Sequence, residues 1–498
     1  MGMDVSLDVS RDPDKGLSFG IKEKLLEAID HMKQLKADYG DIRMKDISVE
    51  QIKTENRQIT NLAASRSRGV GIRIYVNGAM GFAATSDMDN LIETVRLAYD
   101  TAAASAMLQR NKVKLSPKKV VCAQYVTQTS VDPFDVPLGE KLNILMECNE
   151  IMDKIEGLSS FMAFMEFRKE DVIFADTEGS YITQQFYQSG GGIAVRAASE
   201  TDTQQRSYGN IVSAGYEAVL ELKLPEHAEA IAREAVALSQ AQDCPGGEFD
   251  LVLMPDQLQL QIHESVGHPT ELDRVLGSEA AFAGASFLLP EDVGSSLKYG
   301  SEHVTIVADA TDSMGDRGLG TFGYDDEGVP AQCITLVDKG IFKDFQSSRD
   351  NAPVINQSSH GMGISDGWNN LPIVRMTNIN LQPGGFSFDE LIGGIDYGLL
   401  LEQNKSWSID DKRINFQFAC EIAREIKDGK LTGRIFKNPI YTGKTTEFWG
   451  NCDGVCNKNH RKMIGVPNCG KGQPMQMMRV GHASQPARFR KVRFIANG

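Results

Sequence analysis

Cysteine is sparse in this chain, with 8 among 498 residues and no clustered spacing. That excludes the disulfide framework of a small secreted protein and points to reduced thiols in the cytoplasm. Long apolar runs are missing too. None approaches the roughly 18 residues of a membrane span, so no membrane association is expected. The start, MGMDVSLDVSRDPDKG, lacks the basic and apolar segments of a secretory leader. Gly2 fits an N-myristoylation pattern only loosely, and that reading is set aside. Basic charge is in deficit, with Lys+Arg 52 against Asp+Glu 67 and a net charge of -15. Such a balance argues against non-specific nucleic-acid binding, which requires basic surface to neutralise phosphate. The one basic cluster, Arg488, Arg490, Lys491 and Arg493, reads as a solvated face. A GxSxG elbow and a Walker loop are both absent, which leaves serine-hydrolase and P-loop chemistry without support.

What is present is enough apolar residue, 41%, to fill a sizeable core. Apolar positions at helical spacing predict helices over about Gly20–Lys36, Met88–Leu108, Leu138–Ile155 and Pro225–Ser239. Strands are expected at Asp46–Thr54, Gly71–Val76, Phe161–Phe167, Val172–Asp176 and Ile193–Ala198. Asn77-Gly78 between two β-like runs signals a tight hairpin, since both residues tolerate positive φ. Gly190-Gly191-Gly192 before Ile193 echoes Gly69-Val70-Gly71, a hint of an internal repeat. Cys244-Pro245-Gly246-Gly247 breaks the pattern, and beyond it short β-like runs alternate with Gly, Asp and Asn turns. The expected architecture is therefore α+β. An N-terminal α/β sandwich-like domain with long helices, residues 1–243, precedes a β-rich domain, residues 247–498, forming an irregular sheet or barrel.

The chemistry-bearing segment is His263-Glu264-Ser265-Val266-Gly267-His268. Pro255 opens a helix, capped by Asp256, that delivers His263 and Glu264 near its end. A catalytic zinc takes about three protein ligands and leaves one position open, and a nearby carboxylate can accept the proton of its water. The spacing differs from the HExxH helix, in which the histidines lie about 40° apart around the axis. Five residues correspond to about 140° on an ideal α-helix. A shared metal therefore requires the helix to widen into a π-like turn or to end between the histidines, as Gly267 and Pro269 would allow. Spacing alone leaves two readings open, a zinc site and a pair of structural histidines. The other six histidines (His31, His227, His303, His360, His460 and His482) lack this pattern.

HESVGH followed by Glu271 resembles the signature of the TldD/PmbA family of zinc peptidases, in its TldD-like, active branch. The resemblance continues in Asp325-Asp326-Glu327-Gly328-Val329-Pro330, in Arg375-Met376-Thr377-Asn378 and in Cys469-Gly470-Lys471-Gly472-Gln473. More diffusely it reaches Gly69–Ala83, and so covers most of the chain. It implies His263, His268 and Cys469 as ligands of one Zn2+ per chain and Glu264 as the catalytic base. It also implies small or unfolded peptide substrates, hydrolysed in a chamber enclosed by a dimer. That dimer would be a homodimer or a heterodimer with a PmbA-like chain. Pro269, Cys452 and Cys456 depart from the pattern.

Secondary candidates carry plainer alternatives. Asp325 and Asp326 could bind or orient substrate or simply form a turn. Arg375 and Asn378 could hold an extended peptide or end a strand. Cys452, Cys456 and His460, spaced four apart, could form a second metal site if helical, although Asn451, Asp453, Gly454 and Asn457 favour a loop. Gly318–Gly323 matches GxGxxG but lacks a following helix, so a substrate-lining loop is the better reading. Trp407, Trp449 and Met475–Met478 read as core, and Cys122, Cys148, Cys244, Cys333 and Cys420 as small buried residues. The rival to a peptidase is a non-catalytic, metal-stabilised scaffold partner of an active homologue.

Overall fold

The computed structural model describes residues 20–200, 202–282 and 284–496. The N-terminal leader and myristoylation readings concern residues outside that range. The chain opens with α1 (Ile21–Gln34), β1 (Tyr39–Glu55), β2 (Gln58–Val76), β3 (Ala79–Thr85) and α2 (Leu91–Leu108). After β4 (Cys122–Val126) come α3 (Leu138–Asp153), β5 (Leu158–Asp176), β6 (Tyr181–Ala198), β7 (Thr203–Val212), α4 (Glu217–Leu222) and α5 (Leu224–Gln240). The apolar stripe Ile21, Leu25, Ala28, Ile29 and Met32 is the buried face of α1. Asn77 (φ 50) and Gly78 (φ 76) make the two-residue β2–β3 turn, as the dipeptide predicts.

These strands form one sheet in the order β3-β2-β1-β5-β6-β4, with β7 also on β6. At its centre β1 and β5 run antiparallel from Asp41↔Asp176 to Glu55↔Met162. Helix, three-strand meander and helix thus occur twice, and each glycine-rich echo falls in the second strand of its meander. The Gly191 position has a steric reason, because a Cβ there would lie 2.4 Å from the Phe164 carbonyl oxygen. The two predicted strands 161–167 and 172–176 are one strand, β5. The polar stretch between them, Arg168-Lys169-Glu170-Asp171, is paired on both sides and needs no turn.

The C-terminal half adds β8 (Gln242–Asp243), β9 (Gly247–Leu253), α6 (Pro255–Ile262), β10 (Ile306–Asp309), β11 (Cys333–Asp338) and β12 (Ile341–Phe342). Next come β13 (Gly363–Ile364), β14 (Ile373–Val374), β15 (Ile379–Leu381), β16 (Tyr397–Ile409), β17 (Asn415–Lys427), β18 (Lys430–Lys437) and β19 (Ile440–Lys444). The last strands are β20 (Cys452–Val455), β21 (Lys462–Lys471), β22 (Gln476–Ser484) and β23 (Ala487–Phe494). The path β16-β9-β23-β19-β17 closes through β16–β17 pairing, so these five strands form a barrel. Leu253, Leu401, Phe416, Phe418, Tyr441 and Phe489 belong to the core cluster around it. The fold is α+β, as expected. No described helix is long and apolar enough to cross a membrane.

Several local expectations are corrected. Asp256 does not cap α6; Met254 precedes the helix, and Asp256 Oδ1 accepts the Gln403 N–H instead. Trp449 is buried, but Trp407 is 54% exposed, and Met475 and Met477 are exposed as well. Cys122 and Cys333 are likewise exposed, unlike Cys148, Cys244 and Cys420. The basic cluster is only half a solvated face. Arg488 is buried, donating to Asp453 and the Leu391 carbonyl, and Arg490 pairs with Asp250 and Asp453. Lys491 and Arg493 remain exposed.

The helix that carries the histidines is fixed to the barrel by buried polar contacts. Gln257 donates to Tyr441 Oη, which donates to Gln261 (3.0 Å each). Trp449 Nε1 donates to Ser265 Oγ at 2.9 Å. Trp449→Ala is expected to lower stability by about 3–5 kcal/mol through the cavity it leaves. Urea unfolding would check this, and an unchanged midpoint would contradict the packing described.

Candidate metal centre

The strain predicted from the five-residue spacing is visible in the backbone. Helix α6 passes directly into a π-turn over His263–Gly267, in which the His268 N–H bonds back to the His263 carbonyl. Widening to i→i+5 bonding turns residues five apart toward one another. The His263 and His268 rings consequently lie 4.7 Å apart at an interplanar angle of 86°. At Gly267 a Cβ would fall 2.2 Å from Met376 Sδ, so any side chain there would displace that thioether. Pro269 cannot donate a backbone hydrogen bond, so side chains take up the freed carbonyls. Thr270 Oγ1 donates to Val266 and Gly267, Gln346 Nε2 to Gly267, and Tyr299 Oη to Ser265.

The third candidate ligand arrives from some 200 residues later in the sequence. Cys469 lies on β21 at a bulge opposite Met478 of β22, and Arg375 Nη2 donates to its carbonyl. Its Sγ is 3.8 Å from His268 Nε2. One donor atom from each of His263, His268 and Cys469 lies within 4.8 Å of the others, and all three residues are buried. Two ligands on one tetrahedral zinc, with Zn–N and Zn–S of roughly 2.1 and 2.3 Å, stand about 3.6 Å apart. The set therefore fits a single soft-to-borderline ion. Among the described residues no other group of three has such spacing.

Electrostatics favour the ligating forms. Burial pushes both imidazoles below their ordinary value, which favours the neutral, ligating form. Burial pushes the Cys469 thiol up, but the adjacent His268 and Arg375 outweigh it and leave the thiol below its ordinary value. Hydrogen bonding fixes the tautomers. A carboxylate only accepts, so His268 Nδ1–H donates to Glu271 Oε2 (2.9 Å) and leaves Nε2 toward Cys469. His482 Nδ1–H donates to the Ile379 carbonyl (3.1 Å), so its Nε2 accepts from His263 Nδ1–H (2.8 Å). His263 Nε2 is thereby left as the lone pair. Burial raises Glu271, yet Lys471, His268 and Arg274 hold it well below the usual carboxylate range. Lys471 and Arg274 approach it at 3.3 and 3.1 Å. Glu264 Oε2 accepts from Arg413 Nη1 at 3.1 Å, an arginine on the β16–β17 turn.

The remaining candidates are engaged with the protein itself. Asp325 accepts the N–H groups of Glu327, Val329 and Gly363, and Asp326 pairs with Lys45 and Ser365. Both line a cavity together with Leu319, Gly320, Thr321 and Phe322 of the GxGxxG loop. Arg375 clamps the β21–β22 hairpin through the Cys469 and Gln476 carbonyls. Asn378 bonds Gly320, Asp309 and Thr321. Cys452, Cys456 and His460 do not converge: Cys452 faces the Gly454 carbonyl, Cys456 sits in a separate apolar cluster, and His460 lies against Phe388. Sequence reasoning missed His482 and Arg413, since neither has a local pattern. Only pairing across strands and turns brings them in.

Cys469→Ser is expected to reduce bound metal from about one per chain to a small fraction, read by elemental analysis of protein purified without chelator. His482→Phe removes the acceptor that orients His263, along with the hydrogen bond to the Ile379 carbonyl. It should retain the fold and weaken metal affinity about 10- to 100-fold in a competition titration. An unchanged affinity would remove His482 from the site.

Family models match most of the chain. PmbA/TldA metallopeptidase domain 1 matches residues 40–106, the central domain 131–242, and the C-terminal domain 246–479. A metalloprotease of Methanocaldococcus jannaschii is 28% identical over 460 residues, covering 90% of this chain and 94% of the relative. A metalloprotease TldD homolog of Buchnera aphidicola (subsp. Schizaphis graminum) is 25% identical, covering 87% and 88%. TldE from Thermococcus kodakarensis shares the fold with a TM-score of 0.68 and 16% identity, covering 95% of this chain and 99% of that one. A candidate DNA gyrase modulator from Thermotoga maritima superposes with a TM-score of 0.75 at 15% identity, covering 95% and 100%. With its three family domains matched in order between residues 40 and 479, this chain belongs to the PmbA/TldD family of metallopeptidases.

Proposed function

We propose that this chain is a zinc-dependent peptidase that hydrolyses small or unfolded peptides. The observation that supports it best is the convergence of His263, His268 and Cys469 with Glu264 adjacent, all in a buried setting. The thiolate favours zinc over the hard-ligand metals manganese and magnesium. When bound, the ion supplies a Lewis acid that acidifies water and polarises a carbonyl. The chain's own residues supply the rest. Glu264, next to one ligand in sequence, takes a proton from the attacking water and returns it to the departing amine. Arg413 holds that carboxylate in one orientation. Glu271 and His482 keep the imidazole protons on the outer nitrogens, so the inner nitrogens carry no proton.

The same reading includes a dimer, of two copies or with a PmbA-like chain, enclosing a chamber that admits only small or unfolded chains. It places the protein in the cytoplasm, supported by eight cysteines that are all free. Glu264→Gln should retain metal and lose about 100- to 10,000-fold in peptide hydrolysis. Full activity of this variant with metal bound would refute the mechanism. Full restoration of activity by the variant when mixed with an active partner would favour the scaffold reading instead.

A further inference from the structure

One cavity in the molecule lies next to the candidate metal centre without including any of its candidate ligands. Its apolar lining comes from Leu319, Phe322, Ile364, Met376, Met477 and Met478. Met376 touches both sites, because its Sδ fills the space a side chain would need at Gly267 in the π-turn. Met478 stands opposite Cys469 in the β21–β22 pairing. A group entering this cavity therefore lies one side chain away from the ligand set. The accessible space is about 80 Å³, several times what one water needs.

Most charged residues at its walls are engaged with the protein, although Arg479 Nε and Nη2 are buried without a hydrogen-bond partner. Lys45 Nζ donates to Asp326 (2.8 Å) and to the Ser365 carbonyl (2.7 Å). Arg168 pairs with Glu170 at 2.8 Å, and Arg479 with Glu166. Gln184 binds the backbone of the 318–324 loop through Gly323 and Tyr324. An entering carboxylate would meet only Arg479, already paired with Glu166, and any entering charge would lose its hydration. An entering alkyl or aromatic group would meet three thioethers and the rings of Phe186, Phe322 and Tyr324. Thioethers are polarizable and adapt to differently shaped apolar groups.

We infer that this cavity is a side-chain subsite for an apolar residue of the peptide beside the bond to be cleaved, with Ile364 and Phe322 setting its depth. The inference rests on the peptidase reading for its substrate, but its test is a binding measurement. Otherwise all-alanine peptides, with a single Leu or a single Asp moved along the chain, are titrated calorimetrically into the zinc-loaded Glu264→Gln protein, which does not turn them over. The expected result is one position at which Leu binds at least tenfold tighter than Ala or Asp. Ile364→Phe, which fills the cavity, should erase that gap and leave all-alanine binding within about twofold. Phe322→Ala, which deepens it, should shift the preference from Leu to Phe, and stands as the independent check if Ile364→Phe does not fold. The absence of any discriminating position, or a gap that survives both variants, overturns the proposal. If discrimination appears while the wild type hydrolyses none of these peptides, the subsite stands and the peptidase reading falls.

Discussion

The site depends on one turn of backbone being wider than its neighbours. Histidines five residues apart diverge on an α-helix, and only the i→i+5 turn over His263–Gly267 brings them to one face. That widening frees carbonyls within a buried helix, where an unpaired polar group costs about 1–3 kcal/mol. Thr270, Gln346, Tyr299 and Trp449 each bond into the turn. Gly267 and Met376 fit together because no side chain intervenes. Much of the surrounding sequence thus serves to keep this local distortion stable.

A second layer of charge then sets the state of the ligands. Burial lowers the histidines and by itself would raise the Cys469 thiol; His268 and Arg375 outweigh that and leave the thiol below its ordinary value. Glu271, fully buried, stays ionised because Lys471 and Arg274 face it. The lysine comes from the same strand as Cys469 and the arginine from just beyond His268. Ligand and counter-charge therefore arrive together from each side.

The two sheets share responsibility for the cavity. Ion pairs from the N-terminal sheet reach the Asp325–Glu327 stretch, through Lys45–Asp326 at 2.8 Å and Arg73–Glu327 at 2.7 Å, all nearly without solvent contact. Arg206 on β7 likewise meets Glu421 and Glu402 of the barrel strands. Breaking such buried pairs leaves an uncompensated charge, so the contact between the halves resists sliding, and the loop that lines the cavity stays in register with the ligands.

The sequence by itself determined the helices, the Asn77-Gly78 turn, the α+β class and, through the ordered motifs, the family and the candidate ligands. Those features are written in local periodicity, in residues with special backbone freedom, and in short strings whose chemistry is readable without a fold. The forced π-turn was also legible, because 3.6 residues per turn is a fixed geometry against which a five-residue spacing must strain. Tertiary structure decided the rest. The closure of five strands into a barrel, the pairing of two meanders through β1 and β5, and the approach of Cys469 to His268 are long-range contacts with no local signal. His482 and Arg413 looked ordinary in sequence and became part of the site only through strand register and a turn. For Asp325, Asp326, Arg375 and Asn378 the sequence left substrate binding and a structural role open, and the structure adds that each bonds a neighbour, because a polar atom removed from water must find its partner wherever the chain has placed one.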